Sequence, residues 1–187
     1  MTHAELVLAA GRWLRGAGRC TVVLEELCAA TGNGENPDAI GWHSSHTLLI
    51  ECKASRSDFL ADRRKSFRMD PSRGMGMYRY FMAPKGMLRS DEMPERWGLL
   101  EVSGRRVLRT KGHEPGQGYW RQEDPWCVSP RSSGDEVRML LSAMQRIKVR
   151  VGATEFHSML HQRLMQPASP PSTRQAELAS WARVANG

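Results

Sequence analysis

No apolar run in this chain approaches the length needed to cross a bilayer. The opening Met1-Thr2-His3-Ala4-Glu5-Leu6 lacks a basic region followed by an apolar stretch. No signal peptide is therefore expected, and a cytoplasmic location is. The four cysteines, Cys20, Cys28, Cys52 and Cys127, form no C-x-x-C pair. That spacing excludes a zinc ribbon or a dithiol redox motif and leaves reduced thiols as the expectation. His157 and His161 stand four apart, but no Glu follows His157 and no third ligand is evident, so they read as a helix-surface or core pair. Gly32-Asn33-Gly34 is too short for a dinucleotide fingerprint and opens no helix. There is no internal repeat, and no helix-turn-helix or zinc finger that would support sequence-specific base reading.

What is present is enough chain, 187 residues, for one domain with an appendage. Residues 1–150 read as the domain, and 151–187 as a helical appendage with a flexible tail built around Pro167-Ala168-Ser169-Pro170-Pro171-Ser172. Leu6, Ala9, Ala10, Trp13 and Leu14 keep helical spacing and predict a helix over 4–16. Residues 21–27 read as a strand, followed by the turn-rich loop 31–36. Ser55 or Ser57 can cap a helix running to about Met69, with Phe59, Leu60 and Phe67 on its buried side. Met77 to Ala83 reads as a strand, and 97–102 with 105–109 as a hairpin. Helices follow at 135–149, with Val137, Leu140, Leu141, Met144 and Ile147 as the apolar face, and at 153–165. The order helix, strand, strand, strand, helix, strand predicts an α/β fold. Its mixed sheet is flanked by helices, and its fourth strand is parallel to its third.

One segment, residues 36–53, concentrates the chemistry. Ala39, Ile40 and Trp42 supply one β-prone run and Thr47 to Ile50 the next, with His43-Ser44-Ser45-His46 between them. If Ser44 and Ser45 form the turn, Asp38 lies directly across from Glu51, with Cβ atoms about 5 Å apart. Two like charges facing each other weaken a hairpin unless a cation sits between them. Lys53, two residues beyond Glu51, projects from the same face. Leu48-Leu49-Ile50 is a continuous apolar run that suits a strand buried on both faces. Each residue alone would be bland, Asp38 as a turn residue and Glu51-x-Lys53 as a solvated strand end. Together they make a site for a hard divalent cation and a phosphate. Because the facing pair repels, removal of either carboxylate is expected to cost the apo protein little.

Net charge is +7 with an isoelectric point near 9.7. Acids outnumber bases before Glu51. After it come Lys53, Arg56, Arg63, Arg64, Lys65, Arg68, Arg73, Arg79, Lys85 and Arg89, against Asp58, Asp62 and Asp70. A basic excess that starts at the candidate site points to a polyanion, and nucleic acid is the natural one. Arg56, Arg63, Arg64, Lys65 and Arg68 are the expected phosphate contacts, giving grip without base reading. Tyr119, Trp120 and Trp126, interleaved with Arg121, could instead stack unpaired bases, or simply cap the core.

Pro37-Asp38 followed by Glu51-Cys52-Lys53, with helix, sheet and helix around them, resembles the PD-(D/E)xK nuclease superfamily, the restriction-endonuclease-like fold. The likeness covers roughly residues 4–110, and the helix at 135–149 can belong to it. The run from Glu51 to Arg63, with Tyr80-Phe81-Met82-Ala83-Pro84-Lys85-Gly86 and Trp97-Gly98-Leu99-Leu100, looks closer to the MmcB-type group of small bacterial and phage proteins linked to DNA repair. The resemblance implies magnesium-dependent phosphodiester hydrolysis, with manganese substituting, on DNA that is double-stranded or branched. It implies endonuclease rather than exonuclease action. By its pattern Asp38 and Glu51 are metal ligands, the Cys52 carbonyl completes the site, and Lys53 orients or activates the attacking water. An upstream Glu often joins. Among Glu5, Glu25 and Glu26, the last has the approximate position. A non-catalytic nucleic-acid-binding module on the same fold, or an enzyme for RNA or single strands, are the alternatives.

Overall fold

The computed structural model of the chain describes residues 1–62, 65–113 and 124–165. Helix α1 spans His3–Arg15 and is opened by a capping box, in which Thr2 and Glu5 satisfy each other's backbone N–H groups. Its Leu6, Val7, Ala9, Ala10, Trp13 and Leu14 are buried, as the 3.6-residue spacing requires. Three antiparallel strands follow: β1 (Val22–Glu25), β2 (Ala39–Trp42) and β3 (Thr47–Cys52). β1 is shorter than the expected 21–27, because Glu26 turns to a left-handed backbone with φ 46°. Next come α2 (Arg56–Asp62), α3 (Ser66–Met69), β4 (Tyr78–Pro84), β5 (Trp97–Ser103), β6 (Arg106–Lys111), α4 (Ser133–Val151) and α5 (Ala153–Met165).

The six strands form one sheet in the order β1-β2-β3-β4-β5-β6. β4 lies parallel to β3 and to β5, while β6 returns antiparallel. The sheet is therefore mixed and flanked by helices, the α/β class, with strand four parallel to strand three as expected. Alternation divides the core into two faces. Leu48, Ile50, Cys52, Tyr78, Tyr80 and Met82 pack with α1, whereas Ile40, Leu49 and Phe81 pack with Phe59 of α2 and Met139 of α4. All six residues of β3 are buried, which bears out the apolar run as a strand covered on both sides.

Several local expectations need correction. The single helix expected from Ser55 to Met69 is described as two segments, Arg56–Asp62 and Ser66–Met69. Ser55 does cap the first, accepting from the Asp58 amide at 3.2 Å. Leu60 is 48% exposed rather than buried, because α2 turns Phe59 and Asp62 inward. On α4 the expected apolar face does not meet the sheet. Val137 and Leu141 are exposed, while Asp135, Glu136 and Met139 are buried. Hydrogen bonding decides this orientation: Glu136 accepts from the Thr47 hydroxyl, the Gly76 amide and Arg131. The chain divides into two units, residues 1–144 and 145–187. The expected proline-rich linker at 167–172 lies outside the described residues, as do Arg63, Arg64, Tyr119, Trp120 and Arg121. Trp126 is described and packs partly buried against the α1-side core, with Lys111 over its ring at 5.9 Å.

Candidate active site

The hairpin register decides which side chains meet. Ala39 pairs with Ile50 and Ile40 with Leu49, and one step further Asp38 faces Glu51. The same parity puts Asp38, Glu51 and Lys53 on the α2 face of the sheet. Asp38 is fixed by its Oδ2, which accepts from the Cys52 amide at 2.7 Å. Burial, and then the charge of Glu51, push its carboxyl up from an ordinary 3.8 to about 6. The charge of Glu51 therefore disfavours ionisation of the facing Asp38, as the sequence suggested.

Glu51 is held from both sides. Lys53 Nζ stands 3.3 Å from its Oε2, and an Arg68 terminal nitrogen 2.7 Å from its Oε1. Lys53 also reaches Asp62 at 3.3 Å and Asp58 at 3.9 Å. Burial works against the Lys53 ammonium, but Glu51, Asp62, Asp58 and Asp38 outweigh it, so its pKa lies above the ordinary value. Lys53 is thus a charged ammonium at neutral pH. Cys52, between the two, turns its thiol to the opposite core, where burial raises the thiol pKa above its ordinary value.

Arg68 does not reach solvent. Its side chain is 3% exposed and pairs with Glu51, with Asp62 at 2.8 Å, and closely with Glu35. Its guanidinium lies 4.6 Å from the Trp97 ring centre. It is a buried structural cation and not the phosphate contact expected of it. Lys65, 48% exposed, pairs with Asp62 at 2.6 Å, and Arg56 is paired with Glu92. Glu26 is the upstream acid that approaches the site. Its carboxylate is 3.4 Å from His3 Nε2, which in turn is 3.6 Å from Asp38. Glu25 faces the other way and pairs with Arg15 at 2.7 Å, while Glu5 is used up in the α1 cap.

Sequence reasoning missed three participants. Asp62 had a usable signal, since Asp58 and Asp62 stand four apart on a helix that starts just after Lys53. His3 had none, because only the packing of α1 brings it to the end of β1 and β2. Glu35 looked like a solvated loop residue. In fact it is fully buried, accepting from Arg68 and, at 2.6 Å, from the Met75 amide.

Among the described residues, Asp38 is the carboxylate of this cluster with no Lys or Arg within ion-pair distance. Glu35, Asp38, Glu51 and Asp62 are carboxylates with at most 20% of the side chain exposed, and Lys53, Arg68 and Arg79 are the cations buried among or beside them. Among the described residues, no group of three or more His, Cys, Asp or Glu stands ready to hold a metal ion. A hard cation that keeps most of its waters needs only one or two carboxylates, which Asp38 and Glu51 supply. The donor chemistry fits such an ion, as does an Asp38 carboxylate that no Lys or Arg among the described residues pairs.

No family model matches the chain, and no curated protein does. Among solved structures, it is similar to SPO1766, a protein of unknown function from Silicibacter pomeroyi. The two share 17% identity with a TM-score of 0.53, over 82% of this chain and 94% of that one. At that identity the likeness speaks for the fold alone. No helix among the described residues is long and apolar enough to cross a membrane.

Proposed function

We propose that the chain is a metal-dependent nuclease of the PD-(D/E)xK type that hydrolyses DNA phosphodiester bonds. The observation that carries this reading is the opposed pair Asp38 and Glu51 at the end of a fully buried strand, with no Lys or Arg among the described residues paired to Asp38 and with Lys53 on the same face. The element order α, β, β, β, α, β, with β4 parallel to β3, agrees with a restriction-endonuclease-like core.

Asp38 and Glu51 would hold magnesium, or manganese in its place. When bound, the ion would polarise a phosphodiester and lower the pKa of a water. The protein's own groups do the rest. The Cys52 amide fixes Asp38 in direction, a hydrogen bond from Lys53 does the same for Glu51, and Arg68 holds Glu51 by charge. Lys53, charged and 4% exposed, would stabilise negative charge developing on the phosphate or orient the attacking water. Glu26, on the solvent side of Asp38, can accept a proton or a water hydrogen bond.

The test is cleavage of supercoiled, linear, single-stranded and branched DNA with magnesium or manganese. Wild type is expected to nick or cut at least one of them. Asp38→Ala should abolish this, and Lys53→Met should cut turnover far more than DNA affinity. Full activity in Asp38→Ala would sink the assignment. A parallel fall of rate and affinity in Lys53→Met would reduce that residue to a phosphate anchor.

A further inference from the structure

With Arg68 buried, Lys65 held by Asp62 and Arg56 held by Glu92, the described part of α2 and α3 offers little free positive charge to a polyanion. A different place does. A polar cavity of about 530 Å³ opens between the loop at Gly32 and Asn33, the turn at Ser72 and Arg73, and the start of α4. Arg73, Arg131 and Arg138 line it, against Asp135 as the single carboxylate in the wall. Pockets for apolar small molecules have similar volumes but are walled mainly by hydrophobic side chains. This one has none, so its chemistry suits an anion.

The arginines are only partly committed. Arg131 uses Nε on Glu136 at 2.8 Å, and Arg138 uses one terminal nitrogen on Asp135 at 2.8 Å. Among the described residues, no carboxylate pairs with Arg73. Asp135 has its charge taken up further by the Gly32 amide at 2.6 Å and the Ser132 hydroxyl at 2.7 Å. Planar guanidiniums with free donor edges are the groups that hold phosphate oxygens in pairs. The cavity is also tied to the catalytic cluster. Asn33 donates to the Arg73 carbonyl at 2.6 Å, and Glu35, two residues on, pairs with Arg68.

We propose that the Arg73, Arg131 and Arg138 cavity is a phosphate-binding site that takes the backbone of the nucleic acid flanking the scissile bond. The choice of nucleic acid as ligand rests on the nuclease reading, whereas the cavity's anion chemistry does not.

The experiment measures binding of a labelled duplex by fluorescence anisotropy, with the full chain, in EDTA and over a salt series, so that nothing is cleaved. Arg73→Ala/Arg138→Ala should make the log-log salt slope shallower by about 1.8, at about 0.9 per duplex phosphate contact. Between 50 and 200 mM salt, wild type should then lose about tenfold more affinity than the double variant. Arg73→Lys/Arg138→Lys should restore most of the slope, which separates charge from folding. Arg105→Ala/Arg106→Ala, exposed where the turn after β5 enters β6, should leave it unchanged. An unaltered slope in Arg73→Ala/Arg138→Ala, a loss in the Arg105/Arg106 variant instead, or no duplex binding by wild type overturns the proposal. Weakened binding without cleavage under any metal would keep the cavity and remove the nuclease. Metal-dependent cleavage with an unaltered slope would do the reverse.

Discussion

Asp38→Asn is expected to make the metal-free protein more stable at neutral pH, and the size follows from the site. The folded carboxyl titrates near 6 and its ordinary value is 3.8, so the unfolded chain releases the proton first. A raised folded pKa means stability that is fully present below the unfolded value and is lost as pH rises through the folded one. At about 1.4 kcal/mol per pH unit, the ionised Asp38 costs roughly 3 kcal/mol at pH 8, about half of that at pH 5 and almost nothing at pH 3. Asparagine keeps an oxygen for the Cys52 amide, although a neutral acceptor gives back about 1 kcal/mol. The net gain should be about 1–2 kcal/mol at pH 8. Urea melts of wild type and Asp38→Asn, in EDTA from pH 4 to 8, measure it, and the other titrating groups cancel in the difference. The gap should shrink steadily below pH 6. Magnesium should raise the wild-type midpoint and leave the variant where it was. Two stability curves that run parallel across this range would refute the reasoning, because Asp38 would then carry no strained charge.

Glu51 should behave in the opposite way, contrary to the expectation drawn from the facing pair alone. Glu51→Ala removes a partner from both Arg68 and Lys53, and should destabilise by about 3–5 kcal/mol in the same urea melts. Arg68→Ala strands three buried carboxylates and should cost at least as much, while the salt slope of DNA binding by the protein that remains folded stays that of wild type. Asp62 is burdened by burial, but Arg68, Lys65 and Lys53 hold its carboxyl down at about 2. Its stabilisation should be complete above the ordinary 3.8 and disappear as pH falls toward 2. Acid unfolding of wild type against Asp62→Asn, by circular dichroism, reads that difference.

Short-range periodicity carried most of the fold. The spacing of Leu6, Ala9, Ala10, Trp13 and Leu14 marked α1, and the apolar run at 48–50 marked a strand covered on both faces. The Ser44-Ser45 turn set a register that brings Asp38 opposite Glu51, because side chains on a strand alternate strictly and a turn allows one pairing. The pairing at the core of the candidate site was thus legible locally, whereas Glu26 was preferred to Glu25 only by its place in the resembled pattern. Charge, by contrast, says nothing about burial. Arg68 and Lys65 look alike in sequence, yet one is enclosed by Glu35, Glu51, Asp62 and Trp97, and the other is half in solvent. Apolar spacing misled on α4 for a related reason. The buried Glu136 finds donors in Thr47 of β3, the Gly76 amide and Arg131, and burying an acceptor with its partners outweighs leaving Val137 and Leu141 in water. Which cations serve the interior and which remain for a ligand depends on partners tens of residues away, and only the tertiary structure brings those together.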